Sequence, residues 1–163
     1  MTHPPEARDT MPGLFYCRRK MMTHENTHEI TRTLIATPDR VATTAKLFGY
    51  DFPKLLEPFV YTVARDLAPA YNGGYLHFYR LSNGGFYMAP DIEGVFMASC
   101  AMNFFQGELS ADALGLVSCL TAFSHLSFTQ PETFARTMAD HFYLLRSYAG
   151  HHKEAPQIFS AID

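Results

Sequence analysis

The sequence predicts an α+β fold: a mostly antiparallel sheet with a central β-hairpin, covered by helices on one face. Three observations predict it. Aromatic-rich alternating runs flank Asn83-Gly84, a dipeptide suited to a type I′ hairpin turn. Further strand-like runs follow at 94–100 and 102–106. Beyond residue 110 the apolar residues recur at helical spacing. A three-layer arrangement is the alternative, because several strands carry apolar residues on both faces.

The elements follow in order. Residues 1–29 hold Pro4, Pro5, Pro12 and Gly13 with no sustained period, and read as a flexible tail. A single domain then spans 30–163. Ile30, Thr31, Thr33, Leu34 and Ile35 favour a strand over 30–36. Val41 to Phe48 is ambiguous in period and is assigned to helix. Asp51 is positioned to cap a helix with Pro53 in its first turn, but Pro58 removes an amide donor and disfavours helical geometry at Glu57. The expected result is a short turn, then a helix over 58–69 that buries Phe59, Val63 and Leu67. The hairpin strands fall near 75–81 and 85–89. Leu76 and Phe78 share the core face, while Tyr75, His77 and Tyr79 share the other. Ser110 is a candidate N-cap, with Asp112 in the positive first turn and Leu116, Leu120 and Phe123 as the buried stripe. Thr129-Gln130-Pro131-Glu132 fits a capping box for a helix burying Phe134, Met138, Phe142 and Leu145, which Gly150 can end. A last helix or turn covers 155–161.

Composition narrows the function classes. The chain has 163 residues, 18% charged and 14% aromatic, so one sizeable core is expected. Its three cysteines, Cys17, Cys100 and Cys119, are read as free thiols of a cytoplasmic protein, since no secretory signal opens the chain. The longest mostly apolar run, Val95 to Phe105, falls short of the roughly 20 residues a membrane span requires. The net charge of −3 is far from the dense acidic array that mimicry of DNA demands. Arg18-Arg19-Lys20 is the single basic cluster and reads as solvated tail, so strong direct DNA binding is not expected.

Chemistry-bearing motifs are few. His24-Glu25-Asn26-Thr27-His28 matches H-E-x-x-H, which on a helix would set two histidines on a zinc ion and a glutamate on its water. Here it has no apolar stripe, poor helix formers and no evident third ligand, and reads as a coincidental polar segment. A metal-dependent hydrolase using His24 and His28 is therefore the alternative function. Cys100 and Cys119 lie among apolar neighbours and read as inert thiols. His125 and His141 sit on the long helices as structural histidines, and His77 has no acidic neighbour close in sequence. No cofactor is implied. Gly73, Gly74, Gly84 and Gly85 lack the strand–loop–helix setting of a phosphate loop and are assigned to turns. Tyr71, Tyr75, Tyr79 and Tyr87 form either a recognition surface or the cover of the sheet.

The run from Tyr71 to Pro90, with Gly73-Gly74-Tyr75, Phe78-Tyr79 and Leu81-Ser82-Asn83-Gly84-Gly85-Phe86-Tyr87-Met88-Ala89-Pro90, resembles the signature block of the ArdB/KlcA antirestriction proteins. Gly107 to Gly115 resembles a second block of that family, and Ile158-Phe159-Ser160-Ala161-Ile162-Asp163 its ending. Asp39-Arg40 and Phe48-Gly49 fit an earlier block, so the likeness covers residues 30–163. Two departures stand out. Thr43-Thr44-Ala45 occupies the place of a Phe-Leu-Pro triplet, and Leu76 that of a frequent aromatic. Residues 1–29 exceed the usual family start, which makes Met21 or Met22 an alternative initiator. The resemblance implies a non-enzymatic, cytoplasmic protein of plasmids and other mobile elements that relieves type I restriction. Its implied partner is the type I restriction-modification complex or its DNA-translocation machinery, reached directly or indirectly. The candidate interaction surface is the hairpin with nearby acidic residues: Tyr71, Tyr79, Asn83, Asp91, Glu108 and Asp112. A weak DNA-binding module using Arg18, Arg19 and Lys20 is a third reading.

Overall fold

A computed structural model describes residues 29–129 and 131–163. The expected tail, with Cys17, the Arg18–Lys20 cluster and the His24–His28 motif, lies outside the described residues apart from Glu29.

Strand β1 (Arg32–Leu34) opens the fold and leads through a 3₁₀ turn at Thr37–Asp39 into α1 (Arg40–Phe48). A π-helical turn, Phe52–Leu56, runs directly into α2 (Glu57–Leu67). The strands β2 (Leu76–Leu81), β3 (Phe86–Pro90), β4 (Val95–Cys100) and β5 (Phe105–Ser110) follow. Helices α3 (Ala111–Leu126), α4 (Glu132–Ala149) and α5 (Ala155–Ile162) complete the chain. The fold is α+β as expected, but the strands divide between two antiparallel sheets, β1-β2-β3 and β4-β5. Strand β4 does not continue the first sheet. The free edge of β3 is covered instead by α3, whose buried Cys119 thiol accepts the Met88 amide at 3.2 Å and donates to the Met88 carbonyl at 3.5 Å. An edge closed this way no longer recruits a strand.

Pro58 does not end the helix that precedes it. The turn before it widens, and the Glu57 amide donates to the Phe52 carbonyl five residues back. A π turn thus absorbs the missing proline donor without a break. Asp51 takes the cap position but makes no side-chain cap bond. The buried stripe of α2 is Leu56, Val60, Ala64 and Leu67, with the expected Phe59 and Val63 only partly buried beside it. The shift follows from the π turn, which rotates the helix face relative to a plain 3.6-residue count.

The hairpin forms where Asn83-Gly84 predicts it, with Tyr79 opposite Tyr87 and His77 opposite Ala89. Its loop is not type I′. Gly84 alone of the pair has positive φ (92°), the Gly84 amide bonds Leu81 O, and Leu81 N bonds Gly85 O. This is a three-residue loop with glycine in the left-handed position. Gly73 and Gly74, at φ 86° and 132°, turn the chain from α2 into β2, and Gly85 packs against Leu81, Asn83 and Leu144.

One face of the sheet carries Leu76, Phe78, Phe86 and Met88 into the core. Phe78 and Phe86 pack edge-on with Phe52, and Phe48 meets both Phe86 and Phe123. The other face of β2, with His77 and Tyr79, stays partly open, and Tyr75 just before the strand is exposed. Helix α3 is buried nearly all round and is the axis of the domain. Two further expectations are corrected. The second strand of the later pair is Phe105–Ser110 and not 102–106, because Ala101 to Phe104 form a turn that no glycine announces. The Thr129 hydroxyl bonds Leu126 O, and Pro131, without a side-chain cap, precedes α4, so no capping box forms. Gly150 ends α4 as expected, in a right-handed conformation.

Candidate functional site

Strand β1, the loop after β3, the first turn of α3 and the segment joining α4 to α5 enclose a cleft of about 650 Å³. A second concavity of about 530 Å³ shares Arg32, Ile92, Glu93 and Asp112 with it and adds His77, Tyr79 and Asp91.

The Asp112 carboxylate is the hub. It sits in the first turn of α3, where the helix dipole favours an anion. Arg32 Nη1 meets its Oδ1 at 2.5 Å, and the Tyr87 hydroxyl donates to the same oxygen at 3.0 Å. His152 Nε2 reaches Oδ2 at 3.1 Å. The Glu154 amide donates to His152 Nδ1 at 3.1 Å, so the geometry puts the imidazole proton on Nε2, facing the carboxylate. Arg32 also bonds the Tyr87 hydroxyl and lies over the Tyr79 ring, 4.6 Å from its centroid. Tyr79 stacks on Tyr87 at 4.9 Å. Glu154 accepts from both the Ser110 amide (2.9 Å) and the Ser110 hydroxyl (2.5 Å), while that hydroxyl caps α3 by accepting from Ala113 N.

Burial pushes the Asp112 carboxyl up, but the His152 hydrogen bond and the Arg32 charge outweigh it and hold Asp112 below the usual carboxylate range. Burial drives the Tyr87 phenol up, and the Asp112 charge adds to it. Asp112 is therefore a held anion and Tyr87 a held donor. Together they tie β1, β3, α3 and the segment joining α4 to α5 into one corner.

The sequence-predicted surface is only partly assembled. Tyr79, Asp91 and Asp112 come together around the smaller concavity. Tyr71 does not join them. It is 2% exposed, its ring meets Phe96 edge-on at 6.0 Å, and burial pushes its phenol up to about 12. Tyr87 is likewise fully buried, because α3 and Tyr148 cover it. Of the four tyrosines expected at the surface, only Tyr75 is clearly exposed. The Asn83 amide donates to Leu144 O at 2.8 Å and its oxygen accepts from Gly85 N at 3.0 Å, so its polar atoms are committed to α4 and to the loop. Glu108 is exposed on the outer face of the β4-β5 hairpin, with Met97 opposite.

Sequence reasoning missed Arg32, His152 and Glu154, and it gave His77 no partner. Asp91 lies 2.7 Å from His77 Nε2. Hairpin register could have found this pair: His77 faces Ala89, and Asp91 is its diagonal neighbour. Cys119 is fully buried and pushed up to about 12 by that burial, an inert thiol as its apolar neighbours predict. His141 is buried between Phe48 and Phe123, and exposed His125 lies beside Phe59. Among the described residues no group of three or more His, Cys, Asp or Glu side chains could hold a metal ion. No helix among them is long and apolar enough to cross a membrane.

The fold and cleft define an α+β protein with an all-antiparallel strand set, organised around one buried helix and a carboxylate clamp. The family model of antirestriction proteins matches residues 69–163, and the chain belongs to that family. Two antirestriction proteins KlcA from Escherichia coli are each 40% identical to it, over 82% of this chain and 95% and 94% of their own lengths. A solved structure of the KlcA and ArdB proteins superposes with a TM-score of 0.77 at 39% identity, covering 88% of this chain and 100% of its own. Those proteins are described as having a novel fold and antirestriction activity against type I DNA restriction systems in vivo but not in vitro.

Proposed function

We propose that this protein relieves type I restriction-modification, so that incoming mobile-element DNA escapes cleavage, and that it acts as a non-enzymatic inhibitor and not as a DNA mimic. The observation that carries the reading is the match to the KlcA and ArdB structure across the whole of that chain at 39% identity. The modest net charge of −3 argues against mimicry of DNA. The ion pairs of the Asp112 corner argue for a scaffold role, since each polar group there is held by another. The partner is the restriction-modification complex or its translocation machinery, engaged directly or through a host component. The latter accords with relatives that act in vivo but not in vitro. Tyr79, Asp91, Glu108 and Asp112 remain the candidate contact residues, with Tyr71 and Asn83 supporting the fold beneath them.

The test is the plating efficiency of unmodified phage on a host with a type I system, with and without this gene. Recovery of plating is the expected result. Unchanged restriction with the protein present and folded would reject the proposal.

A further inference from the structure

The outward face of the β4-β5 hairpin carries Val95 and Met97 among the polar Ser99, Gln106 and Glu108, and these apolar side chains stay exposed among the described residues. Val95 and Met97 are each 63% exposed on β4, and the connecting turn leaves Met102 86% and Phe104 88% exposed. The inner side chains of the same strands, Ala98, Phe105 and Leu109, are buried against the domain. Side chains alternate along a strand, so the outward row is a distinct surface with its own composition.

The Phe104 position is built rather than frayed. Phe104 is the one non-glycine among the described residues with positive φ (61°). Asn103 holds it there: its amide donates to Ser160 O at 3.2 Å and Ala161 O at 3.1 Å, and its oxygen accepts from Phe105 N at 3.1 Å. A bulky ring in a costly backbone conformation, tied to the end of α5 and pointed at solvent, has the form of a pre-organised anchor. Methionines beside it supply an adaptable contact surface.

Charge selects the occupant. No Lys or Arg occurs between Arg80 and Arg136, while Glu108 stands directly opposite Met97 on the outward face and Glu93 precedes β4. The nearest cations of the adjoining cleft are Lys153 and Arg32, and Arg32 is paired with Asp112. A face that sets apolar side chains beside carboxylates and no cation repels nucleic acid and anionic lipid, and would set its own carboxylates against each other in a symmetric dimer. We propose that this hairpin face docks a basic amphipathic helix of a partner protein, with the apolar side chains of that helix on Phe104, Met102 and Met97 and its Lys/Arg side chains on Glu108 beside Met97 and on Glu93 before the strand. The proposal goes beyond the antirestriction reading, and its assay contains no restriction system, so the two fail separately.

The probe is a fluorescein-labelled peptide of roughly 18 residues with a leucine stripe and lysines elsewhere, titrated with the full chain at physiological salt. The wild type and Tyr50→Ser, a change at an exposed tyrosine away from the hairpin, should bind it equally. Phe104→Gly/Met97→Ser should bind about tenfold more weakly while keeping the wild-type circular dichroism. A peptide with glutamates in place of the lysines should not bind. Equal binding by the double variant, equal binding of the glutamate peptide, or no binding of the lysine peptide would each overturn the proposal. So would tighter binding to a short DNA duplex or to phosphatidylglycerol vesicles, or self-association that the double variant abolishes.

Discussion

Gly115 of α3 lies against the backbone of β3 so closely that a Cβ at this position would stand 2.4 Å from the Met88 carbonyl oxygen and 2.6 Å from Ala89 Cα. Both obstructing groups are backbone or bound to it, so neither can swing aside. One turn further along, Cys119 bonds both polar groups of Met88. The helix therefore serves as the next neighbour of an edge strand, and that role requires contact at bare-backbone distance.

Gly115→Ala should destabilise the protein by about 3 kcal/mol or more, despite the higher helix propensity of alanine, because overpacking against a fixed strand exceeds the propensity gain. Urea denaturation followed by circular dichroism measures it. A stability equal to wild type would mean that α3 can back away from β3.

Asp112 holds Arg32, Tyr87 and His152 at once, so Asp112→Asn should cost about 1–3 kcal/mol by leaving the buried Tyr87 hydroxyl and the partly buried His152 with a weaker acceptor and Arg32 without its counter-charge. Its folded pKa lies below the unfolded value. The carboxylate's contribution is then complete above about pH 4 and is lost as the pH falls through the lower folded value. The stability difference between wild type and Asp112→Asn should narrow below about pH 4 and be constant above it. Denaturation midpoints of the two proteins across that range decide the matter.

His141 works in a separate window. Burial between Phe48 and Phe123 pushes its imidazole down to about 4, and its Nδ1 has no hydrogen-bond partner among the described residues. The unfolded chain takes up this proton near pH 6.5 while the native protein does not, so native stability falls as the pH drops from about 6.5 to about 4. The loss from this one group is on the order of 3 kcal/mol. His141→Leu should flatten the stability profile in that interval and cost little at neutral pH, since it removes an unsatisfied buried nitrogen. Thermal midpoints at several pH values from 4 to 7 test it, and an unaltered slope in the variant would sink the idea.

What was legible in the sequence divides along physical lines. Helices α3 and α4 and the β2-β3 hairpin announce themselves through period and turn chemistry, which are local. Ser110 was legible as a cap because its hydroxyl acts three residues away. The Asp112 corner was only half legible. Asp112 shows as a first-turn acid, but Arg32 is 80 residues distant and His152 is 40, and their meeting depends on packing that no local pattern encodes. Burial of Tyr71 and Tyr87 was illegible for the same reason: strand alternation assigns a face, not what covers it. The split of the strands into two sheets turns on α3 taking the edge of β3, which Gly115 and Cys119 permit but do not advertise.

The Asn103-Phe104 turn gives the last prediction. Phe104 carries a backbone conformation that disfavours side chains, so Phe104→Gly should hold or raise stability, by up to about 1 kcal/mol, even though it deletes a large ring. The ring is exposed and contributes little packing to the fold. Asn103→Ala should act in the opposite sense, losing about 1–2 kcal/mol, because it removes the bonds to Ser160 O and Ala161 O and the acceptor for Phe105 N. Combining the two should give less than the sum of the separate effects, since the asparagine's main task is to hold a turn that glycine adopts unaided. A double-mutant cycle by urea denaturation reads the coupling directly. Strict additivity would show that Asn103 anchors α5 without shaping the turn.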